Sequence, residues 1–541
     1  MLSAPAIWRI AERLRGVVPP GEYGSVILAF TVLRRLELAR GRPVAALAAV
    51  ARAASPQARL ETLIARLPAP VRGMMTRMEM DLIAPRLARA GVLGDVAAHF
   101  AALDLSPALY GTQDMARLFE ELVHHFDSSE DTGAHYTPPE VCDLMTDLVF
   151  APDGAGTGHA LYDPAVGTGA LLGRAADRLA ARGVMVDLFG QEISPRACAI
   201  CQADMLLRGR NPAHIQPGNT LAADHHSRRR FARMLANPPF GQEWRGIRPA
   251  IQAEHAAGAA GRFAAGLPRV ADGSMLFLQH LLAKMRKPVH GGARVGMVTH
   301  GAALGGGGAE SGESAIRRHL VDHDLIDTLI ALPPDMFVNT GIATYVWILD
   351  NCKPAGRQGM VRLVDATGLW QRCPRSSGEK RREMTQAHIA AVVQAGTAGH
   401  DMDLIVQPGA EGAAAGWHAV THDGSVRMDG TCALPLSRSV KGEDFLYHSL
   451  SVERAANCDG APTRLTFTVD GADNPQAWFA RMIQPFDPTA RLDRTRSTTG
   501  CAISFARYFG APSAPRALHA IEADLHHSMA RLAALVEKGG R

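Results

Sequence analysis

The sequence predicts an α/β chain: a Rossmann-like, doubly wound sheet with a helical region before it and a helical tail after it. Three observations carry that expectation. Between residues 160 and 350, short apolar runs of strand length alternate with runs of helix length. Before residue 120, apolar positions recur only at helix spacing. Near the end, Leu518, Ile521, Leu525, Leu532 and Leu535 again fall three and four apart, with Ser528 interrupting. The 541 residues exceed what one simple core needs. The expected division is a helical domain over 1–120, an α/β domain over 121–400 and a C-terminal region over 401–541. The last ends in a docking helix, 514–538.

Composition sets the outer limits. The formal net charge of +4 is compatible with nucleic-acid contact but too mild to establish it. Met1 to Pro5 leads straight into an amphipathic helix, with no signal peptide. No apolar run reaches about 18 residues, so no membrane span is expected and the chain reads as cytoplasmic. The eight cysteines show no framework. The only C-x-x-C, Cys198 to Cys201, lies in a helical pattern and reads as small buried residues. No histidine spacing matches a metal motif.

Taken in order, residues 7–15 form a first helix, broken at Pro19-Pro20-Gly21-Glu22. Residues 23–38 start a second with a strongly apolar face. Further helices are expected near 56–66, 68–90, 92–102 and 114–126. Arg34, Arg35 and Arg40 read as solvated surface, with phosphate contact as the alternative. Residues 127–140 form an ordered loop, and Thr137 is placed to cap the helix that starts at Pro138 and continues over 141–150.

The next block carries a nucleotide-site pattern. A strand over 160–162 runs into Asp163-Pro164-Ala165-Val166-Gly167-Thr168-Gly169 and then a helix over 171–182. A carboxylate at a strand end beside a G-x-G turn lets a ligand approach the backbone closely. The turn is neither G-x-G-x-x-G nor a P-loop. A second strand, 184–189, leads to Gly190-Gln191-Glu192, and Glu192 is placed to bind ribose hydroxyls. After a helix over 195–207, Asn219 sits in a turn from which it can read an adenine edge. A strand over 231–236 then ends in Asn237-Pro238-Pro239-Phe240.

Those four residues point to a particular chemistry. Pro238 has no N–H to give a sheet ladder, so the strand stops there. Asn237 then presents a side-chain carbonyl and Pro238 a main-chain carbonyl at a stiff strand edge. Two converging acceptors can hold an exocyclic amino group by both its hydrogens. Phe240 supplies a flat face for a planar ring. The bland alternative is a strand followed by a proline-rich turn.

Beyond it, 242–270 reads as a long loop suited to DNA contact, with Trp244, Arg245 and Arg248. A helix follows over 275–284, then a strand over 293–299, a flexible stretch over 301–308 and a helix over 313–323. Strands over 326–332, 345–349 and 360–365 come next. Residues 376–382 are a basic turn, either a phosphate contact or solvated surface. Residues 400–470 give no clear pattern. The terminal helix docks on a partner helix or on its own domain.

With these residues in place, the chain resembles the adenine-N6 DNA methyltransferase (modification, M) subunits of type I restriction-modification systems. The resemblance covers nearly the whole length. It rests on Leu14-Arg15-Gly16, residues 23–36, His135-Tyr136-Thr137-Pro138, residues 163–169, Gln191-Glu192 and residues 237–241. It also rests on Gly312-Glu313-Ser314 with Ile316-Arg317-Arg318, and on residues 331–344 and 504–509. One departure is Ala134, where the family often carries an acid. The resemblance implies S-adenosylmethionine (SAM) as methyl donor. It implies Tyr136 and Thr137 near the methionine moiety, Asp163, Gly167, Thr168 and Gly169 along the cofactor, Glu192 on ribose and Asn219 at the adenine. Asn237, Pro238 and Phe240 would then be catalytic, acting on a flipped-out adenine. It further implies double-stranded DNA, a specificity subunit, a restriction subunit and a second M subunit as partners, in phage defence. Rival readings are a self-sufficient DNA methyltransferase, a protein or RNA methyltransferase, and a non-catalytic DNA-binding subunit.

Overall fold

The computed structural model describes residues 4–39, 46–126, 137–151, 159–338, 340–406, 418–421, 432–454, 463–510 and 529. The part of the expected loop over 127–136, Tyr136 included, and all but Met529 of the helix expected over 514–538 lie outside them. The chain separates into two compact units, residues 1–503 and 504–541. In the second, Phe505–Phe509 forms a short helix. No described helix is long and apolar enough to cross a membrane.

The N-terminal region is helical: α1 (Ala4–Leu14), α2 (Tyr23–Ala39), α3 (Ala46–Ala51), α4 (Pro56–Ala65), α5 (Ala69–Arg77), α6 (Met80–Arg89), α7 (Leu93–Ala102) and α8 (Thr112–Phe126). The helix expected over 68–90 is two helices, because Glu79 adopts φ 58°, a left-handed conformation that no α-helix continues through. Almost every residue from Gly24 to Leu33 is buried, so α2 is the central helix, and Phe30 stacks on Phe100 at 5.4 Å. Arg34 and Arg35 are neither solvated nor aimed at phosphate. They donate to the carbonyls of Leu103 (2.8 Å) and Leu105 (2.7 Å) and tie α2 to the end of α7. Ala199, Ile200, Ala203 and Leu207, from a helix of the α/β region, complete the same core. The boundary expected at 120/121 falls inside α8, whose Phe119 and Leu122 both face that core.

The sheet strands are β1 (His159–Asp163), β2 (Val186–Glu192), β3 (Ile215–Pro217), β4 (Arg233–Ala236), β5 (Arg294–His300), β6 (Ile326–Ala331), β7 (Thr344–Asp350) and β8 (Met360–Asp365). After a hairpin of β9 (Gln371–Ser377) and β10 (Lys380–Glu383) come β11 (Met402–Val406), β12 (His418–Thr421) and β13 (Cys432–Lys441). The sheet order is β12-β11-β13-β8-β6-β7-β5-β4-β1-β2-β3. Strands β3-β2-β1-β4-β5 are parallel, as expected. Strand β7 is not: it runs antiparallel to β5 and β6. Among its described residues the segment between β6 and β7 holds no helix to carry a parallel crossover, so the chain turns back on itself. Strands β13, β11 and β12 extend the sheet antiparallel, so the boundary expected at 400/401 falls within it. Beyond it, β14 (Leu446–Arg454), β15 (Thr463–Asp470) and β16 (Arg491–Cys501) form a separate three-stranded sheet.

Helices α9 (Pro139–Phe150), α10 (Ala170–Ala180) and α11 (Pro195–Leu207) belong to the parallel half. Helix α9 is buried along its whole length, and its two aspartates are held by arginines of α10: Asp143 by Arg174 (2.7 Å) and Asp147 by Arg178 (2.5 Å). The expected loop over 242–270 is ordered. It holds α12 (Arg248–Ala256), and Trp244, Ile251 and Phe263 form a small core with Leu221 and Leu276. Trp244, Ile247 and Ile251 fall three and four apart, a helix spacing set within an Ala/Gly-rich stretch. It leads into α13 (Ser274–Lys284). The expected flexible stretch over 301–308 begins with a short helix, α14 (Ala302–Gly305), followed by α15 (Gly312–Asp322). The basic turn over 376–382 is the tip of the β9–β10 hairpin. There Lys380 pairs with Glu140 of α9 (2.6 Å) and the Arg382 guanidinium lies 3.9 Å from the Trp370 ring.

Candidate functional site

The chain runs outward from β1 to β2 and β3, then returns to place β4 on the other side of β1. Open α/β sheets bind ligands where the strand order reverses, outside the carboxyl ends of the strands. Asp163 ends β1, Glu192 ends β2, and Asn237 follows the last residue of β4. Neighbouring strands lie about 4.8 Å apart, so these carboxyl ends share one edge.

The turn after β1 is built by its own carboxylates. Asp163 accepts the Ala165 N–H at 2.9 Å. Glu192 accepts the Gly167 N–H at 2.9 Å with one oxygen and the Ser194 N–H at 2.8 Å with the other. Gly167 (φ 56°) and Gly169 (φ 95°) take conformations that side chains resist. A Cβ on Gly169 would sit 2.8 Å from the buried Cys201 sulfur, so that glycine also lets α11 approach. A Cβ on Gly167 would meet nothing within 4 Å, so the outer side of the turn is open. Burial pushes the Asp163 carboxyl up to about 8; its Ala165 hydrogen bond opposes that shift, and the nearby Glu192 adds to it. Burial also raises Glu192, against the backbone N–H groups it accepts. Beside Glu192, Ile193 is 63% exposed, an apolar side chain at the rim.

A second loop is clamped to this turn. The buried Gln191 donates to the carbonyl of Ala223 (2.7 Å) and accepts the His225 N–H (3.0 Å). Thr220 donates to the carbonyl of Pro164 at 2.6 Å. Asn219 lies in this loop, and its side-chain oxygen accepts the N–H groups of Leu221 (3.0 Å) and Ala222 (3.3 Å). That oxygen holds the loop's own turn. Thr168 is half-buried in the G-x-G turn.

On the other side of β1, Asn237 and Pro238 are buried beyond β4, and Phe240 is 9% exposed. The Asn237 amide nitrogen donates to the Thr137 hydroxyl at 2.9 Å. Thr137 therefore does not cap α9, whose first turn has Pro138 before it and no side-chain cap. Its hydroxyl is taken by Asn237, and that bond turns the amide so that the carbonyl end faces elsewhere. The Phe240 ring lies 5.6 Å from the His300 ring, tilted by 31°. His300 ends β5, and its Nε2 lies 2.8 Å from an Asp272 oxygen.

The structure thus gathers Asp163, Gly167, Thr168, Gly169, Glu192 and Asn219 around one turn and its clamped loop. It gathers Thr137, Asn237, Pro238 and Phe240 at the adjoining strand end. Thr220, His300 and Asp272 also stand here, beyond the residues expected from the sequence. For His300 a signal existed: it follows an apolar run, at the strand end where ligand-binding residues collect.

This arrangement has relatives. The family model for N-6 DNA methylases matches residues 111–410, and that for the HsdM N-terminal domain matches residues 4–63. The type I restriction enzyme MjaIX methylase subunit of Methanocaldococcus jannaschii is 24% identical over 283 residues, covering 51% of this chain and 47% of that protein. The HindI methylase subunit of Haemophilus influenzae is 24% identical over 268 residues, covering 48% and 56%. The chain spans about half the length of these curated relatives. The type I restriction-modification system methyltransferase subunit from Streptococcus thermophilus shares the fold. Its TM-score is 0.59 at 21% identity, over 73% of this chain and 93% of that one.

Proposed function

The chain belongs to the N-6 DNA methylase family, and from that premise we propose that it is the modification subunit of a type I restriction-modification complex. In this reading it moves a methyl group from SAM to adenine N6 in duplex DNA. A separate specificity subunit reads the bases, and a restriction subunit and a second modification subunit complete the assembly. The observation that carries the reading is the Asn237–Thr137 hydrogen bond at the end of β4, beside the open Gly167 turn.

The donor set suits SAM. Glu192 would offer its carboxyl oxygens to ribose hydroxyls, Asp163 would lie along the cofactor, and the open side of Gly167 would admit a ligand against the backbone. Thr168, Gly169, Asn219, Tyr136 and Thr137 are the remaining proposed contacts. When bound, SAM supplies a methyl group on a positively charged sulfur, a strong electrophile.

The protein's part is positioning. N6 cannot be reached by this pocket inside the stacked duplex, so the target adenine leaves the stack. Phe240 receives its face. The Asn237 side-chain carbonyl and the Pro238 carbonyl each accept one N6 hydrogen, which withdraws the lone pair from ring conjugation and aims it at the methyl carbon. N6 would take up the methyl group as the sulfur leaves with its bonding pair, and would then release one hydrogen as a proton. Proximity and orientation supply most of the rate.

The test is transfer of tritiated methyl groups from SAM to unmethylated duplex DNA, with and without a specificity subunit. Methyladenine formed only when the two are combined is the expected result. Asn237→Ala should abolish transfer and leave SAM binding within about twofold, because the amide acts on the base. Methylation by the chain alone would indicate a self-sufficient enzyme. Transfer by Asn237→Ala at the wild-type rate would overturn the site.

A further inference from the structure

Phe240 lies beside His300, which is paired with the buried Asp272. His300 is the last residue of β5, and β5 runs parallel to β4 with Ala236 opposite Met297. Counting forward from that pairing sets His300 level with Pro239, so the imidazole stands at the height of the Asn-Pro-Pro-Phe segment. Its Nε2 lies 2.8 Å from one oxygen of Asp272, whose other oxygen accepts the Ser274 N–H at 3.0 Å. Asp272 is thereby anchored at the start of α13. The strand is anchored as well, since Thr299 accepts the Trp347 indole N–H at 2.8 Å. The His300 Nδ1 is buried and has no hydrogen-bond partner among the described residues.

We propose that His300, held by Asp272, is a positioning residue for the target base: its cationic ring fixes the Phe240 face on which the flipped adenine rests. This rests on the methyltransferase reading above. A cation within about 6 Å of an aromatic ring is attracted to its electron-rich face, and more so where water is excluded. The 5.6 Å separation of the ring centroids lies inside that range. Two other charged side chains act on His300. The hydrogen bond and charge of Asp272 raise its affinity for a proton, while Arg269 lowers it, as burial does; the net shift is upward. Arg269 itself lies 3.6 Å from Asp272. The pair's effect should be complete below the raised His300 value and fade as pH rises through it.

The test uses the chain combined with a specificity subunit and compares wild type, His300→Gln and Asp272→Asn across about pH 5 to 9, which spans the ordinary histidine range and an upward shift from it. The readouts are KM for unmethylated DNA, kcat and SAM affinity. In the wild type, KM for DNA should rise at the alkaline end. His300→Gln should raise KM about tenfold with SAM affinity within about twofold, and the pH dependence should disappear. Asp272→Asn should keep the rise but move its midpoint to lower pH, because the residue that raises His300 is gone. A purely structural role would not move that midpoint. His300→Gln following the wild-type pH curve would overturn the proposal, as would an unshifted midpoint in Asp272→Asn. Should His300→Gln fail to fold, the Asp272→Asn midpoint decides alone. Failure of the wild-type complex to transfer methyl groups would sink the underlying reading, and the proposal with it. Normal wild-type transfer with unaltered variants sinks only the proposal.

Discussion

Replacing Thr137 by valine removes one oxygen and little else. The side chain is buried, and its hydroxyl is the acceptor for the Asn237 amide nitrogen at 2.9 Å. Valine fills the same space but accepts nothing, so a buried N–H loses its partner at a cost of about 1–3 kcal/mol. The amide also loses the contact that tells its two ends apart. If that cost falls on the transition state, kcat drops roughly fivefold to 150-fold, at about 1.4 kcal/mol per tenfold. Thr137→Ser keeps the hydroxyl and should stay within about threefold of wild type. The assay is methyl transfer at saturating DNA and SAM, with SAM affinity measured separately by calorimetry because Thr137 is also proposed to lie near the cofactor. A valine variant with wild-type kcat, alongside an inactive Asn237→Ala, would show that something other than Thr137 orients the amide, and the reasoning would fail.

Other perturbations test the scaffold. Gly169→Ala adds a Cβ 2.8 Å from the Cys201 sulfur at a residue with φ 95°, so it should cost roughly 2–4 kcal/mol, read as a lower urea midpoint. Adding Cys201→Ala should restore the steric part of that loss and leave the backbone part. Asp163 titrates at about 8 in the folded chain against an ordinary 3.8, so between those values the folded state holds the extra proton. The stability of the wild type relative to Asp163→Asn should therefore fall as pH rises through that window and level off above it; a flat difference would contradict the buried, protonated carboxyl.

Local signals carried the framework of this protein. Strand and helix alternate in the sequence because buried parallel strands are short apolar runs and their covering helices are amphipathic, so β1, β2, β4, β5 and α11 lie close to where periodicity put them. The G-x-G turn was legible because only glycine takes its backbone angles freely, and the end of β4 because proline cannot continue a ladder. What tertiary structure decided was pairing across distance. Thr137 and Asn237 stand 100 residues apart, and nothing local tells a threonine that caps a helix from one that receives an amide. The same holds for Thr220 on Pro164, for His300 on Asp272 and for α11, which completes the core of the N-terminal helices. Strand direction was hidden too: β7 looks like any apolar strand, and only the absence of a crossover helix among the described residues before it makes it antiparallel. Secondary structure follows from the side chains of neighbours in sequence, whereas a site is set by which strand ends the sheet order brings side by side.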